Sequence, residues 1–140
     1  MFDVRPRASA NAGMAFRVIS APMAAFFAWA AVMQLNDPDP ERWFLLYASV
    51  SILAGLAALG RATPRLALLL AVVALSWAAA IAPELWQHWS VGDLGAKMSA
   101  ARPEVEYGRE FVGLLIVAAY CLAAKRFVPR APAPVAKGSS

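Results

Sequence analysis

Hydrophobic residues are grouped along this chain into four long blocks that are separated by polar segments. The blocks cover residues 16–35, 43–59, 66–85 and 111–127. They show neither the alternation of a β-strand nor the narrow apolar stripe of a soluble helix. Each approaches the length that crosses the hydrocarbon core of a bilayer as a helix. The pattern therefore predicts an all-α fold, an integral membrane four-helix bundle.

The segments outside the blocks predict how the rest of the chain is organised. Residues 1–13 are polar and small, and we expect a flexible cytoplasmic N-terminus. A four-span membrane domain should follow over residues 14–127. Residues 128–140 are rich in proline, alanine and basic side chains, a composition that buries too little apolar surface to fold. We expect this last segment to be a disordered cytoplasmic tail.

The composition supports a membrane location. Of the 140 residues, 61% are hydrophobic and 16% are charged, whereas a soluble domain has about half apolar and about a quarter charged residues. The single cysteine, Cys121, lies inside the last block and is expected to be a packing residue. The net charge of +4 alone would suit nucleic acid. Its distribution argues instead for the lipid bilayer as the partner, and against nucleic acid.

Charge is distributed unequally between the two sides that four spans would create. Basic residues dominate the side formed by the two tails and the turn at residues 60–65, whereas most acidic residues lie on the other side. An excess of Lys and Arg marks the cytoplasmic side. The sequence therefore predicts a multi-pass protein of a bacterial inner membrane with cytoplasmic N- and C-termini, and an acidic turn that faces the periplasm or a lumen.

Alanines at helical spacing predict close contacts between helices. Small residues on one helix face let backbones approach each other in lipid, and we expect such faces to form a compact bundle. Two sets occur: Ala21, Ala25 and Ala28 in the first block, and Ala74, Ala78 and Ala82 in the third.

The turn between the first two blocks is the most distinctive polar segment. Residues 36–41 read Asn-Asp-Pro-Asp-Pro-Glu, and a residue before proline favours extended backbone. Asp39 is therefore a candidate N-cap of the second helix, with a proline in its first turn. Asn36 is expected to end the first helix in the left-handed conformation. Trp43 and Tyr47, one turn apart, fit an aromatic belt at the membrane interface and would set the depth of the second helix.

A second polar cluster stands at the entry of the fourth block, on the same side of the membrane. Glu106, Arg109 and Glu110 share one helix face. Since capping requires only one acid, the surplus carboxylates support two hypotheses. Arg109 could clamp Asp37 or Asp39 through a bidentate ion pair. Alternatively, carboxylates with one histidine could hold a hard divalent cation.

These two clusters supply the candidate site residues. We interpret His88, between two tryptophans, first as an interfacial residue within hydrogen-bonding reach of Glu84. No cofactor is predicted, and a divalent cation is the one alternative. The candidate cap residues, for ligand binding or structure, are Gln34, Asn36, Asp37, Asp39, Trp43, Tyr47, Glu106, Arg109 and Glu110. The metal candidates are Asp37, Asp39, His88 and Glu110.

The residues predict a multi-pass membrane protein. No nucleotide loop, serine triad, haem-attachment motif or paired His/Cys metal spacing occurs in the sequence. The prediction is a non-enzymatic accessory or binding subunit with an acid-rich extracytoplasmic cap and a membrane protein as partner. Two alternatives stay open: a cation or small-ligand binding protein that uses Asp37, Asp39 and Glu110, and a membrane enzyme acting on lipid or quinone head groups.

Both polar clusters belong to longer motifs. The motifs are Met23-Ala-Ala-Phe26-Phe-Ala leading into Gln34-x-Asn36-Asp37-Pro38-Asp39, then Trp43 and Tyr47, and finally Glu106-x-Gly108-Arg109-Glu110-x-x-Gly113-Leu114. In these motifs the chain resembles the transmembrane protein 220 family of small four-helix membrane proteins. The resemblance implies a membrane location and a four-span layout, with no established biochemical activity. The loop between His88 and Glu104 and the proline-rich tail depart from it.

Overall fold

The computed structural model of the chain describes residues 5–36, 40–88 and 103–128. Within these ranges the backbone forms four α-helices and no strand. The predicted all-α class is therefore confirmed. The helices are α1 (Arg5–Gln34), α2 (Pro40–Ala58), α3 (Pro64–His88) and α4 (Pro103–Phe127).

Three of these helices are long and apolar enough to cross a membrane. They are α2, the part of α1 from Ala10 onward, and α3 as far as Trp86. Helix α4 is not among them. Its uncharged run from Phe111 to Ala124 corresponds to about 21 Å of helix, whereas the hydrocarbon core of a bilayer is about 30 Å thick. The molecule is an integral membrane helical bundle, and a complete span by α4 remains a prediction.

The helices extend beyond the hydrophobic blocks. Helix α1 begins at Arg5, inside the segment predicted to be flexible, and α3 continues to His88. Helix α4 begins at Pro103, so both ends of the predicted loop at residues 86–108 are helical. Hydropathy marks the part of a helix that lipid surrounds, whereas backbone hydrogen bonding continues into polar sequence until a residue breaks it. The tail predicted at residues 128–140 lies outside the described residues after Val128.

The bundle is built from two closely packed antiparallel pairs of helices. Helix α1 packs along α2 and α3 along α4, whereas the two pairs approach each other less closely. Ser51 Oγ on α2 donates a hydrogen bond to the Ala24 carbonyl on α1 at 2.8 Å. On α3, Ala74 and Ala78 are buried and Ala82 is half-buried. The prediction for this alanine face is confirmed.

The corresponding prediction for α1 is wrong. Ala21, Ala25 and Ala28 are all exposed, and the face of α1 that packs in the bundle carries Phe27 and Ser20, both fully buried. The Phe27 ring on this face reaches the more distant α4, where its centre lies 5.5 Å from that of Tyr120. The alanines are left on the face that lipid surrounds.

Aromatic rings fill the wider space between the two pairs of helices. The Tyr120 ring on α4 lies 5.7 Å from Phe16 and 5.5 Å from Phe27, both on α1. Its hydroxyl donates to Ser20 Oγ at 2.9 Å, and Ser20 in turn donates to the Phe16 carbonyl at 2.8 Å. The hydroxyl groups of Tyr120 and Ser20 are thus both hydrogen-bonded, as burial requires.

A glycine closes the turn from α2 to α3, at the end of the bundle away from the C-terminus of α1. Gly60 has φ +70°, and the Arg61 N–H donates to the Leu56 carbonyl at 2.7 Å. This is the left-handed helix ending that glycine favours. The Arg17 side chain of α1 donates from Nε to the Ala58 carbonyl at 3.3 Å, which places a positive charge at the C-terminus of α2.

Candidate functional site

The two polar clusters singled out in the sequence lie at the same end of the bundle. Because α1 ends where α2 begins, and α4 runs parallel to α2, the end of α1 and the starts of α2 and α4 meet there. We call this region the acidic end. Its described polar and charged residues are Gln34, Asn36, Glu41, Arg42, Glu84, Glu106, Arg109 and Glu110.

A hydrogen bond between Trp43 and Glu110 connects α2 to α4 at the acidic end. Nε1 of Trp43 donates to Oε1 of Glu110 at 3.0 Å. The Trp43 side chain is only 8% exposed, and the centre of its ring lies 4.4 Å from that of Trp77 on α3. Three helices therefore meet at one indole. The hydrogen bond joins one residue from each of the two predicted clusters.

The position of Trp43 corrects the prediction of an aromatic belt at the lipid interface. An interfacial tryptophan keeps its N–H in contact with water and headgroups. Here the N–H is directed to a carboxylate of the neighbouring helix, and the ring is covered by Trp77. Trp43 is a packing residue within the bundle because Glu110 supplies a partner for its polar atom.

Tyr47 lies one turn further along α2 and is half-buried. Its ring stands 5.9 Å from Trp43 and 6.3 Å from Phe27. Its hydroxyl lies directly against Gly113 of α4, where a Cβ atom would come within 2.6 Å of the oxygen. The absence of a side chain at Gly113 is therefore what allows Tyr47 to reach α4.

The other described cap residues are closer to solvent. Gln34 is half-buried and donates from Nε2 to the Ala30 carbonyl at 3.4 Å. Glu106 and Arg109 are exposed on successive turns of α4, next to the half-buried Glu110. This end therefore presents charges of both signs around one carboxylate that is tied to α2.

Asn36 does not end α1 in the predicted left-handed conformation. Among the described residues, no residue other than glycine has positive φ. The helix is closed instead by the Leu35 N–H, which donates to the Val32 carbonyl at 3.1 Å. A tightened last turn satisfies that carbonyl without any left-handed residue.

The ion-pair and metal hypotheses depend largely on residues outside the described ranges. Asp37, Asp39 and the side chain of His88 lie there, as does the predicted N-cap role of Asp39. Pro40 is the first residue of α2, the position expected for it. Among described side chains, no three His, Cys, Asp or Glu residues form a group that could hold a metal. Both hypotheses therefore stay predictions. Arg109 is the described member of the ion-pair hypothesis, and Glu110 is the described acid of the metal hypothesis.

Sequence reasoning missed two residues that shape this end. Trp77 stands in the middle of the third hydrophobic block, and only its unusual size among alanines and leucines could have drawn attention to it. Gly113 was noted in a motif, but no role followed from it. In both cases the role depends on which residue of another helix lies opposite.

The chain matches a known protein family. The model of a family described as Transmembrane family 220, helix, matches residues 26–125, more than half of the chain. The matched range contains Trp43, Tyr47, Glu110 and Gly113. No solved structure matches the chain.

Proposed function

The chain belongs to transmembrane family 220 and is a multi-pass membrane protein, and from this premise we propose that it is a non-enzymatic accessory or binding subunit. In this proposal the acidic end is an extracytoplasmic cap that contacts a membrane protein partner.

The observation that carries the proposal is the hydrogen bond of 3.0 Å between Trp43 and Glu110. A half-buried carboxylate at the edge of an apolar bundle is costly unless it is hydrogen-bonded. The buried indole meets this need and holds the starts of α2 and α4 together. The exposed Glu106 and Arg109 next to Glu110 thereby gain fixed positions. A fixed arrangement of charges favours recognition of a partner surface.

The interior of the helices supports a binding role over transport. No Asp, Glu, Lys or Arg occurs in residues 18–36, 43–60, 66–83 or 111–124. Transporters and pumps carry ionisable side chains at such depths to pass protons or ions. The charged residues of this bundle are concentrated at its two ends, which is where partners and headgroups meet a membrane protein.

Charge also supports the orientation in the proposal. The basic residues opposite the acidic end whose side chains the structure describes are Arg17, Arg61, Arg65, Lys125 and Arg126. Excess Lys and Arg favours the cytoplasm, so the termini would be cytoplasmic and the cap would face the periplasm of a bacterial inner membrane.

Site-specific photo-crosslinking in native membranes tests the proposed role. A photoreactive residue at Glu106, which is exposed at the cap, should give an adduct of discrete mass. The same residue at Ile52, which is 63% exposed in the middle of α2, should give none. The Trp43→Phe substitution should abolish the Glu106 adduct at unchanged protein abundance. Adducts of the same mass from both positions, or from neither, would contradict the proposal.

A cation or small ligand held by Asp37, Asp39 and Glu110 is the second candidate function. It is favoured by the surplus of acids at the end where Glu110 lies. Ligand at a hundredfold excess over its dissociation constant stabilises the native state by about 2.7 kcal/mol. Thermal melting with a panel of divalent cations and with a chelator should then show a cation-specific rise.

The matched control for this melting experiment removes the same charge elsewhere at the acidic end. The rise should disappear in Asp37→Asn/Asp39→Asn and persist in Glu41→Gln/Glu84→Gln, since Glu41 and Glu84 are exposed. No rise in the wild type, or an equal loss in both double variants, would count against the cation site.

A further inference from the structure

The end of the bundle opposite the acidic end carries a cluster of exposed positive charge. We call these residues the basic collar: Arg17, Arg61, Arg65, Lys125 and Arg126, all exposed. Arg17 belongs to α1, Arg61 to the turn that follows α2, and Arg65 to α3. Lys125 and Arg126 belong to α4, so the collar surrounds the bundle. The described residues at this end, 5–20, 54–70 and 114–128, contain no Asp or Glu. Within the described part of the chain, the collar is therefore not neutralised.

Arg17 and Arg61 adjoin each other in the collar. The Arg17 guanidinium lies over Gly60, with its Cζ 3.2 Å from where a Cβ would stand, and Arg61 follows directly. The hydrogen bond from Arg17 Nε to the Ala58 carbonyl uses one donor. The guanidinium keeps its other N–H groups for an anion.

The α4 part of the collar lies next to α1. The Phe127 ring is 5.6 Å from Phe16, which immediately precedes Arg17. The Arg126 guanidinium lies 5.8 Å from the centre of the Phe127 ring, a cation–π contact that restrains it. The positive side chains of the turn and of α4 thus both lie next to Arg17 of α1.

The depth of the collar matches that of lipid phosphates. Directly inward of it, large apolar side chains are exposed on the helix surfaces: Val18 is 67% exposed, Leu69 59% and Leu122 44%. Such side chains contact acyl chains in a bilayer. A ring of cations immediately beyond them lies at the headgroup level, where anionic lipids place their phosphates.

We propose that the basic collar binds the phosphate groups of anionic phospholipids in the leaflet at this end of the bundle. The uncompensated charge, its placement around the bundle and its depth all match this ligand. Each basic residue near an anionic surface strengthens binding by a factor of about five. Several neighbouring residues therefore select anionic over zwitterionic lipid.

Thermal melting of the purified protein in detergent, titrated with added lipid, tests this inference. Phosphatidylglycerol should raise the melting temperature in a salt-sensitive manner, and phosphatidylcholine with the same acyl chains should not. The experiment does not depend on the orientation of the protein in the cell. Equal stabilisation by the two lipids would overturn the proposal. An equal shift with inorganic phosphate would also overturn it, because a lipid would then not be the specific ligand.

Charge-removing variants locate the binding surface. Arg61→Gln should weaken the apparent affinity for phosphatidylglycerol about fivefold, and Arg61→Gln/Arg65→Gln/Lys125→Gln about a hundredfold. Arg17 is left unchanged because it also bonds to α2. Arg42→Gln at the acidic end is the matched control and should keep the wild-type affinity. Full affinity in the triple variant, or a fivefold loss in Arg42→Gln, would overturn the proposal.

Discussion

The indole of Trp43 and the carboxylate of Glu110 satisfy each other at the acidic end. Trp43→Phe keeps a ring but removes the donor, and a hydrogen bond to a charged group contributes about 1.5–3 kcal/mol. Because Glu110 is half-buried, we expect a loss of about 1–2 kcal/mol in the free energy of unfolding. Reversible unfolding in mixed micelles would measure it.

Two comparisons make this prediction specific. Trp86→Phe is the same chemical change at a side chain that is 92% exposed, and it should cost less than about 0.5 kcal/mol. In a Glu110→Leu background, Trp43→Phe should cost much less than in the wild type, since the acceptor is already gone. An equal cost in both backgrounds would show that the hydrogen bond is not the cause.

Gly113 accommodates the Tyr47 hydroxyl at the contact of α2 with α4. Replacing a helical glycine by alanine ordinarily stabilises a helix by about 1 kcal/mol, and Gly55→Ala should do so because nothing lies within 4 Å of its added Cβ. Gly113→Ala would place Cβ 2.6 Å from the hydroxyl. We expect it to be less stable than Gly55→Ala by about 1–3 kcal/mol.

Removing the hydroxyl tests the cause of that difference. In Tyr47→Phe the next atom of this side chain is 3.9 Å from the added Cβ, an ordinary contact. Gly113→Ala should therefore become stabilising in the Tyr47→Phe background. Thermal melting of the four variants suffices, and an unchanged penalty in that background would argue that another contact is responsible.

At the scale of elements, the turn from α2 to α3 depends on the left-handed backbone of Gly60, whose φ is +70°. A side chain in this conformation costs about 1–2 kcal/mol. Gly60→Ala should therefore lower the melting temperature, and Gly60→Asn should lower it less because asparagine tolerates this region. Equal effects of the two substitutions would show that the added Cβ, close to Arg17, matters more than the backbone.

Helix α4 is the element whose membrane insertion we expect to depend on the others. Its uncharged run from Phe111 to Ala124 is short, with Glu110 and Lys125 at its ends. We expect the packing of α4 against α3 and the hydrogen bond from Trp43 to Glu110 to compensate for this short apolar run. In a glycosylation-mapping assay, α3 alone should insert efficiently and α4 alone poorly, whereas α4 should insert when α3 precedes it. Efficient insertion of isolated α4 would contradict this dependence.

At the scale of the whole molecule, two closely packed helix pairs are joined by aromatic side chains. Helices α3 and α4 pack closely, and the small residues Ala74 and Ala78 of α3 are buried. Phe27 and Tyr120 fill the wider gap between α1 and α4, and Trp43 and Trp77 that between α2 and α3. The bundle therefore combines two kinds of contact, close backbone packing within each pair and ring packing between them.

We predict the orientation of the whole bundle from the opposite charges of its two ends. We expect a C-terminal tag to be inaccessible to protease in intact spheroplasts, and a tag inserted after residue 95 to be cleaved. A reporter fusion at residue 62, in the turn of the basic end, is the internal control and should behave as cytoplasmic. Cleavage at both the C-terminus and residue 95 would indicate that α4 does not cross the membrane.

The sequence alone predicted the all-α membrane bundle because the relevant physics is local. A long apolar run favours lipid, and backbone groups in lipid must be satisfied within the helix. The separation of acidic from basic residues between the polar segments can likewise be read directly from the sequence. Trp43, Tyr47 and Glu110, which meet at the acidic end, also drew attention in the sequence, since polar and aromatic side chains stand out at the edges of apolar blocks.

Only the tertiary structure decided which face of each helix meets which neighbour. A helix that is apolar all round carries no stripe to mark its buried face, so Ala74 and Ala21 look equivalent in sequence although one is buried and the other exposed. For the same reason Trp43 looked interfacial until Glu110 was found opposite it. Hydrophobicity determines where a helix lies in the membrane, whereas shape and hydrogen-bond complementarity between distant segments determine how the helices are rotated and paired.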